Sequence, residues 1–122
     1  MHSRRQFLEL GAAGGVLSAL PASSAWADQG VTRDQIVIGS IQDLSGPLVT
    51  LGKPIQNGMI MRAEQINAEG GIHGRKIRLV IEDSGYDPRK AVLAAQKLLT
   101  QDRIFSMIGS LGSVVSLATL PL

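Results

Sequence analysis

Apolar and polar positions along the chain form blocks whose spacing alternates between that of strands and that of helices. Three short runs are largely apolar, as in buried strands: residues 36–39, 77–81 and 104–108. Between them, apolar residues recur every three or four positions, from Leu51 to Ile66 and again from Ala91 to Leu99. A third helical segment begins at Val114, so the pattern predicts the order β-α-β-α-β-α.

This order predicts an α/β fold. Connections that contain a helix join parallel strands by right-handed crossovers. Helices then cover both faces of the sheet, which gives a three-layer, doubly wound parallel architecture. The prediction covers residues 28–122, within which we find no internal repeat and no low-complexity linker.

Local signals predict where the helices begin and end. The Gly70–Gly71 pair ends the first helix, because glycine adopts the left-handed conformation without a Cβ clash. The Asp87–Pro88 pair begins the second helix as N-cap and first helical residue. A loop is predicted from Gln42 to Pro54. Gly58 interrupts the first helix, and we expect a close approach to a neighbouring strand to compensate for it.

The first 27 residues have the pattern of an export signal. Arg4 and Arg5 precede an apolar run at 10–20 that is too short to span a membrane. Small residues then lead to a predicted cleavage site after Ala27. The arginine pair resembles that of a twin-arginine signal, and an ordinary secretory signal or a membrane anchor are the alternatives.

Composition excludes several classes of function. The chain has no cysteine, which excludes disulfide scaffolds, thiol catalysis and cysteine-based metal sites. Two histidines are too few for a multi-histidine zinc site, and we predict no metal site. Aromatic residues make up 3 % of the chain and its net charge is +2, which argues against a nucleic-acid partner.

Open α/β sheets bind ligands beyond the carboxyl ends of their strands. In this chain those ends lead into residues 42–52, 82–86 and 110–113. The third segment is rich in glycine and precedes a helix, whose first N–H groups favour an anion such as a carboxylate or phosphate. Ser113 either contributes to that anion site or only caps the helix, and the spacing leaves both interpretations open.

Enzymes of this fold class carry motifs that the chain lacks. Residues 39–46 do not contain the glycine fingerprint of dinucleotide-binding proteins, and no nucleotide phosphate-binding loop occurs. Glu82, Asp83 and Asp87 suggest a cation or paired-carboxylate site, but we interpret the first two as loop residues and Asp87 as a helix cap. No nucleophile–base pair occurs in residues 28–122.

Short motifs follow one another in a specific order along most of the chain. They read IVIG at 36–39, DLSGP at 43–47, INAEGGIHGRKI at 66–77, ED at 82–83, YDPRKA at 86–91 and IG at 108–109. Together they resemble the N-terminal lobe of the leucine/isoleucine/valine-binding family. Members of this family are the type I periplasmic solute-binding proteins of ABC importers.

The resemblance implies a receptor whose two lobes close on a ligand, commonly an amino acid, and then dock on a membrane permease. It implies no chemistry on the ligand, so the chain is not expected to be an enzyme or to need a cofactor. The turn after the third strand would supply a hydroxyl and backbone N–H groups to the ligand carboxylate. The candidate ligand-binding residues are Ser110, Leu111, Gly112, Ser113, Leu51 and Gln42.

The sequence departs from the family pattern in the candidate site. Leu51 stands where branched-chain binders often carry an aromatic residue, and leucine offers no π face to an ammonium group. Some members bridge a cysteine pair at the positions of Tyr86 and Gly112, and this chain has no cysteine. Serines often continue past the position of Ser113, where this chain has Val114 and Val115. Aliphatic amino acids, amides, urea-like compounds and aromatic acids all remain candidate ligands.

Family members are several-fold longer than this chain. We therefore expect residues 28–122 to be an incomplete first lobe that is marginally stable alone and binds ligand weakly or not at all. The alternatives are a ligand sensor of the same fold that feeds a regulator, an inactive gene fragment, and an exported α/β enzyme.

Overall fold

The computed structural model describes residues 28–122. Its strands are β1 (Gln35–Gln42), β2 (Lys76–Asp83) and β3 (Ser106–Met107), and its helices are α1 (Val49–Ala68), α2 (Pro88–Thr100) and α3 (Ser113–Thr119). The predicted export signal, with Arg4, Arg5 and the cleavage site after Ala27, lies outside the described residues. In the part of the chain that is described, no helix is both long and apolar enough to span a bilayer.

The three strands form one parallel sheet in the order β2-β1-β3. β1 pairs with β2 over its whole length, from Gln35 opposite Lys76 to Gln42 opposite Asp83. The predicted parallel α/β fold is confirmed. Because β1 is central, its carboxyl end lies between the segments that follow the two outer strands, where the sequence predicts the ligand.

The two faces of the sheet pack against different helices, because successive strand side chains point to opposite sides. One face and helices α2 and α3 form the buried core, whose members are Val37, Ile41, Ala91, Ala94, Ala95, Leu98, Ile104 and Val115. On the other face, Ile38, Ile77 and Leu79 lie opposite α1. The three-layer arrangement is therefore confirmed, and Ala91, Ala94, Ala95 and Leu98 are the buried residues of α2, within the segment whose apolar spacing predicts a helix.

The layer between α1 and the sheet is packed less tightly than the core on the other face. A cavity of about 320 Å³ that is partly open to solvent lies there, lined by Ile38, Gly58, Met59, Arg62, Ala63, Ile66, Ile77, Leu79 and Ile108. The prediction that Gly58 approaches a strand closely is wrong, since a Cβ built on it would meet no atom within 4 Å. Gly52 is instead the buried residue of α1, while Leu51 and Ile55 are exposed.

Several element boundaries differ from the sequence prediction. β3 spans two residues instead of 104–108. Only Ser106 and Met107 pair with β1, opposite Ile38 and Gly39. The backbone nevertheless follows β1, since the N–H groups of Phe105 and Ile108 donate to Val37 O and Gly39 O at 2.8 and 2.9 Å. α1 begins before the predicted end of the loop, and Pro54 lies inside it.

The predicted helix ends are confirmed at two places. The Asp87 carboxylate is the N-cap of α2 and accepts hydrogen bonds from the N–H groups of Arg89 (2.7 Å) and Lys90 (3.2 Å), and Pro88 follows it. At the end of α1, the Gly71 N–H donates to Ile66 O at 2.8 Å and Gly70 has a φ of 104°, as in a Schellman motif.

The last turn of α1 is bound to the beginning of β2 by a side-chain amide. Asn67 Nδ2 donates to Ile77 O at 2.8 Å, and Asn67 Oδ1 accepts from the Ile77 N–H at 2.7 Å. An amide side chain that both donates to and accepts from one residue substitutes for a backbone pair. This connection fixes the carboxyl-terminal end of α1 against the sheet.

Candidate functional site

The segments that follow the three strands meet at the carboxyl edge of the sheet, around the end of β1. The Ser84 N–H donates to Gln42 O at 2.8 Å, and the Leu111 N–H donates to Ile41 O at 2.9 Å. The β2–α2 loop and the turn before α3 are therefore each bonded to the last residues of β1. These are the segments from which the sequence predicts a ligand site in an open parallel sheet, and that site stays a prediction.

The first loop is organised by Asp43, a fully buried carboxylate directly after β1. Its Oδ1 accepts from the N–H groups of Gly46 (2.5 Å) and Ser45 (3.3 Å), and its Oδ2 accepts from the Leu48 N–H (2.6 Å). A buried carboxylate needs such donors to offset its lost hydration. Asp43 is thus committed to shaping the loop and does not face a ligand.

A second carboxylate, Asp83, connects this loop to the end of β2. Its Oδ1 accepts from the N–H groups of Leu44 (2.9 Å) and Gly85 (2.8 Å), and its Oδ2 accepts from the Ser45 hydroxyl (2.5 Å). The interpretation of Glu82 and Asp83 as loop residues is wrong, because both belong to β2. Continued pairing with β1 extends the strand past its apolar run.

The hydrogen bonds to Asp83 favour its ionised form. Desolvation is the largest single effect and raises the pKa of Asp83. The Ser45 hydroxyl, the N–H groups of Leu44 and Gly85 and the charge of Lys90 together outweigh it, and they hold the pKa below its usual value. The folded state is therefore stabilised by ionised Asp83.

We expect this contribution to depend on pH. Since the pKa is lower in the folded than in the unfolded chain, the stabilisation is present above about pH 4 and is lost as the pH falls through the folded-state pKa. Asp83→Asn should therefore lower the urea midpoint at neutral pH and converge with the unmodified chain in acid. A constant difference from pH 7 to pH 2 would contradict this role.

The turn before α3 has the backbone geometry that its glycines predict. Gly109 and Gly112 have φ angles of 56° and 102°, in the region that favours glycine. The N-cap of α3 is Gly112 and not Ser113, so the interpretation of Ser113 as a helix cap is wrong. Ser113 is the exposed first residue of the helix, two residues after Leu111, whose N–H is bonded to the end of β1.

The other candidate residues of this turn are partly buried. The Ser110 hydroxyl lies 3.2 Å from Met107 Sδ, a weak acceptor, and the Leu111 N–H is bonded to β1 as described above. Leu51 lies in the first turn of α1 with 54 % of its surface exposed. The structure thus brings Ser110, Leu111, Gly112 and Ser113 together in one turn, with Leu51 on a different element.

Gln42 lies beneath the turn as the last residue of β1. Its side chain is fully buried, and its Nε2 donates to Ser40 Oγ at 2.8 Å and to the Gly109 carbonyl oxygen. Within residues 28–122, its Oε1 has no hydrogen-bond partner. Gln42 therefore supports the start of the turn, and any effect on a ligand would be transmitted through the turn.

Three residues that shape this edge were not among the predicted site residues: Asp43, Asp83 and Tyr86. The spacing of Asp43 from Ser45 and Gly46 is a recognisable signal, because an aspartate commonly bonds backbone N–H groups two and three residues ahead. Tyr86 packs against Gly112 and has a positive φ of 61°. The resemblance places Tyr86 and Gly112 at positions that some family members join by a cysteine pair, but no feature of the sequence indicates the positive φ of Tyr86.

Comparison with known proteins gives a consistent result for this chain. The sequence profile of the periplasmic binding protein family matches residues 35–122. A Leu/Ile/Val-binding protein homolog 7 from Brucella abortus is 34% identical over 97 residues, which cover 80% of this chain and 24% of the relative. This chain thus spans about a quarter of the length of the curated relatives that it matches.

Two solved structures show the same fold over most of the described residues. The fatty acid ABC transporter substrate-binding protein from Thermomonospora curvata is 34% identical with a TM-score of 0.69, covering 76% of this chain and 23% of that protein. The branched-chain amino acid transporter substrate-binding protein LivJ from Streptococcus pneumoniae, in complex with isoleucine, is 30% identical with a TM-score of 0.69, covering 72% and 25%.

The parallel sheet order, the turn at its carboxyl edge and the profile match over most of the chain lead to the same assignment. The resemblance stated from the sequence motifs is confirmed by both the curated relatives and the solved structures. This chain belongs to the periplasmic binding protein family.

Proposed function

We propose that the chain is part of the extracytoplasmic solute-binding component of an ABC importer, and that it binds an amino acid or a related small carboxylate or amide. The observation that carries this proposal is the likeness to LivJ, a transporter substrate-binding protein solved with isoleucine. In this role the chain acts in the periplasm, delivers ligand to a permease in the inner membrane and performs no chemistry.

The proposed ligand contacts are in the turn at the end of β1. Ser113 supplies a hydroxyl, and the backbone of residues 110–113 supplies N–H donors to a carboxylate, apart from the Leu111 N–H, which is bonded to Ile41 O. Support comes from the exposure of Ser113 beside a turn that is bonded to the end of β1, and from the N-cap residue Gly112, which has no side chain to occupy the first N–H groups of α3. Leu51 offers an exposed aliphatic surface to the ligand side chain, and Gln42 holds the turn from below.

Binding at this edge has a mechanical consequence within the proposed function. A ligand that contacts both this turn and a second lobe binds the closed receptor better than the open one. The equilibrium then shifts only by the difference between those two affinities, so the closed form signals occupancy to the permease. The edge described here supplies one wall of that cleft.

The names of the two solved relatives suggest two different ligands, a fatty acid and an amino acid, and both of these carry a carboxylate. The test therefore uses one compound of each kind. We expect L-leucine or octanoate to shift the backbone amide resonances of residues 110–113 in a saturable, low-affinity titration of the ¹⁵N-labelled chain. L-leucinol, which lacks the carboxylate, should leave the same resonances unshifted.

Ser113→Ala should weaken the shifts produced by the carboxylate that binds. The matched control is Ser116→Ala, because Ser116 is exposed on the same helix one turn later. Equal titrations of both variants would contradict the proposed role of Ser113. A chain whose resonances respond to neither carboxylate would contradict the proposed contact between this turn and a carboxylate.

A further inference from the structure

The β2–α2 loop contains Tyr86, the one tyrosine of the chain. Its φ of 61° lies in the left-handed region that aromatic residues rarely adopt. A non-glycine residue persists in this conformation only where its surroundings fix it. The contacts of the Tyr86 backbone and ring therefore indicate what this conformation achieves.

The Tyr86 backbone is held by the buried residue Ser84. The Ser84 hydroxyl accepts from the Tyr86 N–H at 3.2 Å and lies 3.2 Å from Gln42 O, to which the Ser84 N–H also donates. The Asp87 N–H then donates to Ser84 O at 3.0 Å, and the Asp87 side chain caps α2. Tyr86 is thus fixed between the end of β1 and the start of α2.

The Tyr86 ring is partly buried and packs against the core at the turn before α3. A Cβ built on Gly112 would overlap Tyr86 Cε2, and it would lie 3.0 Å from Cδ2 and 3.5 Å from Cζ. One edge of the ring therefore occupies the space that a side chain at Gly112 would need. The ring thereby limits where the N-cap of α3 can lie.

The turn is held at three points along its length. Gln42 Nε2 bonds to Gly109 O at its start, and Ile41 O accepts from the Leu111 N–H in its middle. At its end, the Tyr86 ring packs on Gly112. The first two contacts come from β1, whereas the third comes from the β2–α2 loop and is adjacent to Ser113.

We propose that Tyr86 is a positioning residue for the candidate ligand-binding turn: its ring fixes Gly112 and so presents the Ser113 hydroxyl and N–H in one orientation. The link to ligand binding rests on the proposed function, whereas the contact that fixes the turn is present in the unliganded chain. It assigns to the ring a role that a purely stabilising apolar side chain would not have.

The test compares local with global opening by amide hydrogen exchange. Tyr86→Leu keeps an apolar side chain but removes the ring, Tyr86→Phe keeps the ring, and Leu99→Ala weakens the same core away from the turn. We expect Tyr86→Leu to accelerate exchange at Leu111 and Ser116, whose N–H groups are bonded to Ile41 O and Gly112 O, at least about tenfold more than at Ala95 and Leu98. Tyr86→Phe should restore the original rates, and Leu99→Ala should not show the selective effect.

Three results would overturn the proposal. One is equal acceleration by Tyr86→Leu in the turn and in α2, as for a purely structural residue. Another is failure of Tyr86→Phe to rescue. The third needs no variant and holds even if Tyr86→Leu does not fold: absence of nuclear Overhauser contacts between the Tyr86 ring and Gly112 Hα in the unmodified chain.

The exchange experiment contains no ligand, so its outcome is separate from that of the carboxylate titration. If the selective acceleration is observed while no carboxylate binds, the positioning role is supported and only the proposed function fails. If Tyr86→Leu accelerates exchange equally in the turn and in α2 while a carboxylate still binds the unmodified chain, the positioning role fails and the proposed function is retained.

Discussion

Gly52→Ala is expected to destabilise the folded chain by about 3 kcal/mol, near the upper end of the usual range for overpacking. Gly52 is buried in the first turns of α1, where a new Cβ would overlap the carbonyl oxygen of Asp43. The obstacle is backbone, which does not rotate away as the end of a flexible side chain does. Relief therefore requires α1 to move away from the end of β1.

Hydrogen bonds on both sides of the contact between Gly52 and Asp43 resist such a movement of α1. The Gly52 N–H donates to Leu48 O at 2.9 Å, and the Leu48 N–H donates to Asp43 Oδ2 at 2.6 Å. Moving α1 therefore strains the loop that joins it to β1. We expect this coupling to place Gly52→Ala among the most damaging single-methyl additions in the described residues.

Gly58→Ala is the matched control, because it adds the same methyl group to the same helix. A Cβ at Gly58 would meet no atom within 4 Å, and alanine is favoured over glycine in helix interiors. Urea unfolding should show that Gly58→Ala stabilises the chain by about 0.5–1 kcal/mol. The packing argument would be contradicted if the two variants changed the midpoint in the same direction.

Asp43→Ala is expected to destabilise the chain by about 3 kcal/mol, because three backbone N–H groups lose their acceptor. A buried donor without a partner costs about 1–3 kcal/mol. Water can reach part of this loop, since Gly46 and Leu48 are only half-buried, so the summed effect is below the full cost of three orphaned donors. Urea unfolding measures this loss directly.

Asp34→Ala controls for the loss of a carboxylate, because Asp34 is exposed and no hydrogen bond to its side chain occurs in the described residues. It should leave the urea midpoint nearly unchanged. Asp43→Asn should fall between the two, since its one carbonyl oxygen replaces only part of the acceptor set. If Asp43→Ala were as stable as Asp34→Ala, the loop would be held by other contacts.

Features that depend on local sequence were predictable. The periods of the apolar residues placed both longer helices and the three strands in the observed order. The Asp87–Pro88 pair and the Gly70–Gly71 pair predicted the start of α2 and the end of α1, because caps depend on a few adjacent residues. The parallel topology followed from the helical connections.

Features that depend on tertiary contacts were not predictable from the sequence. Gly52 and Gly58 are both helical glycines in α1, but one abuts Asp43 and the other borders a cavity. The sequence left open whether Ser113 caps α3, but the N-cap is Gly112. Gly112 is the residue against which the Tyr86 ring packs. Contacts between residues that are distant along the chain accompany these outcomes, and local patterns do not encode such contacts.

The cavity beneath α1 has a consequence for how the fold responds to hydrostatic pressure. α1 is fixed to the sheet near both ends, by Gly52 against Asp43 and by Asn67 bonded to Ile77, with about 320 Å³ of space beneath its middle. Because this space is partly open to solvent, water enters it, and pressure gains less there than from a sealed void of the same size. The side chains that line it nevertheless have fewer packing partners than those of the core, so the α1 layer is the more deformable side of the sheet under pressure.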